Sequence, residues 1–420
     1  MRSQESMKRL IWILILILLL TACASEPTAT PTAEPEQQPA SLPTDTATAE
    51  PTATSTLVPP TSTPTDTPEP TATEVNLDPL ANYPVEGYGP ANFPANINPL
   101  TGLAVDDPAI LDRRPVAVKI SNYPRDIRPQ WGLSLADLVF EYYHEGGLTR
   151  FHAIFYGNNA SEVGPIRSAR LPDDLLIQAY KSVFAFGSAD YRVRSMLFNA
   201  EYANRLASVS DKPCPPDIDY PTCRIDPNQW NHLMTDTSIL SQHFTAQGVP
   251  NGRQNLDGMR FDKAVPPDGE TGDSLIVRYS ADDYHKWVYD AATGKYQRYY
   301  DAAYDSGAGE TFELLTDRSN DQIVAADNVV VLFVPHSFYS REPEMILIDL
   351  IGYGKATLFR DGQAYDANWA RPNAGEIVSI TFDDGSRFPL KPGNTWFEIV
   401  GQSSLTQQGS PDWRVQFQTP

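Results

Sequence analysis

Over residues 114–121 (RPVAVKIS) and 148–156 (LTRFHAIFY), apolar and polar side chains alternate with a period of two, the pattern of strands that bury one face. Residues 136–145, rich in Val, Phe and Tyr, are a third strand candidate. The period then lengthens. Pro172 sits where a first helical turn tolerates it, and DDLLIQAYKSV continues at helical spacing with acids at the positive end. Residues 183–187 read as a short buried strand, and 191–202 and 237–247 as further helices, the last ended by Gly248. Beyond residue 257 the chain turns to strands separated by Gly, Asp and Asn: 274–279, 284–289, 295–300, 328–335, 345–351, 356–360, 377–382 and 395–400. Residues 290–294, Arg360-Asp361-Gly362 and Asp383-Asp384-Gly385 are hairpin-turn signals. The pattern predicts an α+β protein with a mixed α/β N-terminal module over 79–256 and a largely antiparallel β C-terminal module over 257–420.

The first 78 residues follow other rules. Arg2, Lys8 and Arg9 precede an apolar run over 10–20, the order of a secretory signal, and that run is shorter than the roughly 20 residues a spanning helix needs. It ends in Leu20-Thr21-Ala22-Cys23, which resembles a bacterial lipobox. Residues 1–22 are thus expected to be removed and Cys23 to carry the acyl chains (diacylglycerol, palmitate) that anchor the protein in the cell membrane, on its extracytoplasmic face. Residues 23–78 are rich in Thr, Pro and Glu, with nine acidic residues and no Lys or Arg, and are expected to form a disordered linker, too polar to bury a core. Fully stretched at polyproline spacing, it would reach on the order of 170 Å.

Of the formal net charge of −21, residues 79–420 carry −14. An acidic folded part argues against nucleic acid as a partner. Beyond Cys23 there remain Cys214 and Cys223, which bracket the loop CPPDIDYPTC; in an exported protein they are expected to pair.

Residues 98–170 carry blocks that resemble the YerB-like bacterial lipoprotein family: NPLTGL at 98–103, RPVAVKISN at 114–122, RPQWGLSLADLVFEYYHEGGLTRFHAIF at 128–155 and VGPIRSAR at 163–170. GMRFD at 258–262, DGQAYDANW at 361–369 and PGNTWFEI at 392–399 continue the resemblance. It implies a secreted lipoprotein of an α/β module and a β-rich module, with no activity attached.

The densest polar cluster is Glu141, Glu145, Arg150, Arg167, Ser168 and Arg170. On a regular strand Glu141, Tyr143 and Glu145 share one face, and the Gly146-Gly147 turn returns Arg150 toward them. Three guanidiniums and two carboxylates form either a bidentate clamp for a carboxylate or phosphate, or an ion-pair network that neutralises itself. Paired glutamates also raise an alternative, hydrolysis of envelope glycan. The six histidines show no metal-binding spacing, Ser168 has no evident base, and no nucleotide fingerprint is present, so neither metal nor cofactor is expected. Trp131, Trp230, Trp287, Trp369 and Trp396 are candidates for sugar stacking or for the core. The leading expectation is a non-catalytic lipoprotein that binds a cell-wall component or a membrane-protein partner.

Overall fold

The computed structural model describes residues 80–420 except Ser208, Pro227, Trp230, Ser410 and Pro411. The expected signal peptide, Cys23, the linker and Trp230 lie outside the described residues. In the first half, strands β1 (Val116–Ser121), β2 (Leu138–Glu145) and β3 (Leu148–Phe155) precede helix α1 (Leu171–Tyr180). β4 (Val183–Ala185), α2 (Tyr191–Phe198), β5 (Leu206–Ala207) and α3 (Thr237–Ala246) follow. The second half contributes β6 (Ser274–Arg278), β7 (Tyr284–Asp290), β8 (Lys295–Asp301), β9 (Phe312–Leu314), β10 (Asn328–Val334) and the hairpin of β11 (His336–Arg341) with β12 (Glu344–Ile348). β13 (Gly352–Arg360), β14 (Gln363–Arg371), β15 (Ser379–Thr381), β16 (Thr395–Gly401), β17 (Leu405–Gly409) and β18 (Asp412–Gln416) follow, with shorter two-residue strands between. The fold is largely β.

One mixed sheet, in the order β15-β14-β13-β10-β16-β2-β3-β1-β4-β5, runs through both halves of the chain. Its seam is the parallel pairing of β2 with β16, which sets Val139 beside Trp396 and Glu141 beside Glu398. A second sheet, β9-β8-β7-β6-β18-β17, supplies the partner face. β1, β2, β10 and β16 are buried almost throughout because each is covered on both faces. Along β2 the alternation shows which cover is which: Glu141 reaches Arg298 on β8, and Tyr142 reaches Asp173 on α1.

Local chemistry follows the sequence signals. Gly146 and Gly147 both adopt positive φ, as do Asp361 and Gly362, the requirement of the tight turns that join β2 to β3 and β13 to β14. Asp236 caps α3 by accepting from the Ser238 and Ile239 amides at 2.7 and 3.1 Å. The helix expected over 191–202 stops at Phe198, where Asn199 turns back onto the Ser195 carbonyl. Cys214 and Cys223 are joined in a disulfide.

Several buried polar residues hold the fold together. Asn98 donates to Asp137 at 2.9 Å, and Asp137 in turn accepts from the Gly157 amide at 3.0 Å. Asp317 is fully buried without an ion-pair partner among the described residues, and it is satisfied by hydrogen bonds instead. Its Oδ1 accepts from the amides of Gly132 (2.8 Å) and Ser319 (2.9 Å), and its Oδ2 from the amide (2.7 Å) and hydroxyl (2.8 Å) of Ser134. Gly132 is needed there: at φ +83° any Cβ would stand 2.7 Å from the Glu162 carbonyl oxygen.

Candidate functional site

Three groups of ionisable side chains gather around β2, and they differ in whether anything from outside can reach them. The first lies between the two sheets. Arg298 on β8 places Nη2 2.8 Å from Glu141 Oε2 and Nη1 3.4 Å from Glu398 Oε1. His285 Nε2 and Trp287 Nε1 approach the same Glu398 oxygen at 2.8 and 2.9 Å, and Trp396 Nε1 donates to Glu141 at 3.2 Å. The guanidinium is walled by the rings of Phe151, Trp287 and Trp396, 4.6–5.4 Å away. Burial pushes both carboxyls up to about 7, against the pull of Arg298, and burial with Arg298 beside it pushes His285 down to about 3. Thr149 Oγ1 stands 2.7 Å from Glu141 and 2.9 Å from Asp283, one hydroxyl proton for two carboxyls. A protonated Glu141 that donates to Thr149 satisfies all three groups. Glu141, His285 and Glu398 place one donor atom each within 4.8 Å of one another, a set that suits a divalent ion. Arg298 already supplies the positive charge there, and a metal would have to displace it. With these side chains at 0–1% exposure, the cluster is a sealed joint between the sheets.

The second group lies on the other face of the main sheet. Lys119, Tyr142, His152 and Asp173 are fully buried together. Asp173 Oδ1 accepts from Tyr142, lies 2.8 Å from His152 Nδ1 and 3.3 Å from Lys119 Nζ, while Oδ2 accepts from the Arg170 amide at 2.7 Å. Burial pushes Lys119 down to about 7, and although burial alone would raise Asp173, the Lys119 charge holds it well below the usual carboxylate range. This network ties α1 onto β1–β3.

The third group opens to solvent. Arg170 grips Glu145 through Nε and Nη2, and His144 Nδ1 lies 2.8 Å from the same carboxylate. Burial would raise Glu145, but Arg170 and His144 hold it well below the usual range. Arg150 donates to the Ser168 carbonyl at 2.8 Å, and Arg167 Nε reaches the Ser121 hydroxyl at 3.3 Å; neither forms an ion pair among the described residues. Burial and the adjacent Arg170 charge push Arg150 down to about 9 and lower Arg167 as well. Beside these residues lies a cleft of about 480 Å³, lined by Glu145, Ser168, Arg170, Asp190, Glu344 and Met345.

Of the six residues expected to cluster, five do and one does not. Glu141 and Glu145 part company because a β-bulge falls between Tyr143 and Glu145, where the pairing with β3 shifts register. The bulge re-aims Glu145 toward Arg170, whereas Glu141 keeps the regular alternation and points between the sheets. The two carboxylates therefore do not face one substrate. Glu398, Arg298 and His285 were not singled out together from sequence; only Glu398 falls in a marked block, and nothing local links residues 141, 298 and 398. Trp287, Trp369 and Trp396 are core residues, each at most 1% exposed. A larger cleft, about 670 Å³, opens between α3 and the disulfide loop. The arginines are the stronger candidate, because like charges converge there, whereas His243 in the larger cleft is engaged with the Ile218 carbonyl at 2.5 Å.

Residues 100–247 match the family model described as "Protein of unknown function (DUF3048) N-terminal domain", and residues 275–397 match its C-terminal counterpart. The chain is 29% identical over 307 residues to "Putative lipoprotein YerB" of Bacillus subtilis (strain 168), covering 72% of this chain and 85% of that protein. The crystal structure of YerB protein from Bacillus subtilis matches with a TM-score of 0.59 at 26% identity, over 72% of this chain and 96% of that one. The two domain matches fall in order on the two halves of the chain that share the main sheet, and the chain belongs to the DUF3048 family, of the YerB type.

Proposed function

We propose that the protein is an extracytoplasmic lipoprotein, held to the membrane by lipid on Cys23, whose Arg150, Arg167, Ser168 and Arg170 receive an anionic group of a cell-envelope component. The anchor rests on the lipobox-like Leu20-Thr21-Ala22-Cys23 and on the similarity to a protein named as a lipoprotein. In this reading the mixed α/β first module carries the contact and the β-rich second module braces it. A single observation carries the binding claim: three guanidiniums crowd each other beside an open cleft with only Glu145 paired among them, in a chain whose folded part is strongly acidic. Holding like charges together is unfavourable unless an anion arrives to use them, and planar guanidiniums match carboxylate and phosphate oxygens. A membrane-protein partner remains in this reading only as the bearer of such an anionic group. The glycan-hydrolase alternative has no support in the geometry, since Glu141 is sealed between the sheets and Glu145 is locked to Arg170.

Calorimetric titration of inorganic phosphate into the full chain in detergent tests the binding claim. Loss of one charge-assisted contact in Arg167→Ala should weaken binding by about tenfold to a hundredfold. A wild-type protein that takes up no phosphate, and none of the carboxylate N-acetylmuramic acid, would overturn it.

A further inference from the structure

We infer that the anionic group received at the arginines is carried on a saccharide, whose ring packs against the exposed faces of Tyr191 and Tyr339 at the rim of the cleft. This deepens the anion-binding reading and rests on it. Tyr191, the first residue of α2, is 75% exposed, and Tyr339 on β11 is 49% exposed. The two belong to different elements, yet one guanidinium joins them: Arg192 lies 5.2 Å from the Tyr191 ring centre and 5.9 Å from that of Tyr339. Arg192 is itself fixed by Asp190, with Nε and Nη2 at 2.8 and 3.1 Å from its two carboxylate oxygens, and Asp190 lines the cleft. The β11–β12 hairpin that carries Tyr339 also sends Glu344 into the cleft wall, where Tyr143 and the Gly146 amide hold its carboxylate at 2.8 Å. The tyrosines thus adjoin the cleft through Arg192 and Asp190, and the arginine cluster adjoins it through Arg170.

The mixture of groups selects the ligand. Glu145, Asp190 and Glu344 line the cleft alongside Arg170, so the lining favours a ligand that carries hydrogen-bond donors as well as negative charge. A sugar bearing one carboxylate or phosphate carries both. Its charge goes to the guanidiniums, its hydroxyls donate to the free lone pairs of the carboxylates, and the C–H face of its ring covers an aromatic surface whose other edge stays wet. A bare lipid phosphate lacks such hydroxyl donors. The buried tryptophans leave this role to the tyrosines.

The test compares ligands on the full chain in detergent by calorimetry: glucose 1-phosphate and N-acetylmuramic acid as the two anionic sugars, inorganic phosphate and acetate as their anions alone, and N-acetylglucosamine as the neutral sugar. At least one anionic sugar should bind about tenfold tighter than its bare anion, and whichever does so tells phosphate-bearing from carboxylate-bearing glycan. A Tyr191→Ala/Tyr339→Ala double variant should lose that gain and keep its affinity for the bare anion. Two outcomes overturn the inference and leave the anion site standing: anionic sugars that bind no tighter than their bare anions, or a double variant that retains the full gain. If no anion binds, with or without a sugar, both readings fall.

Discussion

Glu141 and Glu398 stand side by side on adjacent parallel strands, 257 residues apart in sequence, and the one guanidinium of Arg298 spans both carboxylates. That arrangement joins the two halves of the chain electrostatically at the same register where the main sheet joins them by hydrogen bonds. It also explains why a strand from each half ends up fully buried with an acid on it. The charge is tolerated because Arg298 and two indole N–H groups satisfy it.

Removing the shared cation should be costly. Arg298→Met would leave two buried carboxylates without their partner, and breaking such a network costs about 3–5 kcal/mol. Urea unfolding measures it. Adding Glu141→Gln and Glu398→Gln to the same protein should recover a large part of the loss, because the uncompensated charge is then gone. A triple variant no more stable than Arg298→Met alone would mean that the cluster acts through shape and not through charge.

The pH dependence of one member has a definite sign. Burial raises Glu398 from 4.5 to about 7, so between those values the folded protein holds a proton that the unfolded chain has released. The stability carried by that proton is fully present below the lower value and is lost as pH rises through the upper one. Gln at this position does not titrate. The stability advantage of wild type over Glu398→Gln should therefore shrink by on the order of 2 kcal/mol between about pH 5 and pH 7.5. Parallel denaturation curves read it, and an advantage that grows with pH would contradict the raised value.

Much of the fold was legible in the sequence, because the two periods of hydrophobicity mark strands and helices locally. The runs over 114–121, 136–145 and 148–156 became β1, β2 and β3 within a residue or two, and DDLLIQAYKSV became α1. Turn chemistry at Gly146-Gly147 and Asp361-Gly362 was equally readable, since positive φ at both positions leaves few residue choices. Three things were not readable. β5, β9, β11, β14, β17 and β18 are among the strands that the pattern did not mark. The parallel seam of β2 with β16 depends on residues far apart in the chain, and alternation within one strand says nothing of its neighbour. The bulge before Glu145 was hidden as well, and it alone decided that Glu141 belongs to the sealed joint and Glu145 to the open cleft. Part of the candidate cluster was thus visible as composition, whereas its division into two sites was a matter of register.

The anchor can be tested apart from the fold. Cys23→Ser should move the protein from the membrane fraction to the soluble fraction, since it removes the acceptor of the lipid and leaves no acyl chains to bury. Fractionation of cells that express the variant reads the outcome directly. A serine variant that still sediments with membranes would contradict lipid anchoring at this cysteine.

Arg167 offers the most direct test of the account's central claim, that the arginine cluster exists for a ligand and not for the fold. The one hydrogen bond of its side chain among the described residues, to Ser121 at 3.3 Å, contributes little to stability. Arg167→Lys keeps the charge and removes the planar fork. The deciding measurement is the melting temperature of wild type and variant, with and without a saturating anionic sugar. The account predicts melting temperatures within about 2 °C without ligand, and a ligand-induced rise that is clear in the wild type and much reduced in the variant. A variant that melts far earlier, alongside a wild type that no anionic sugar stabilises, would contradict it and leave the arginines as scaffold.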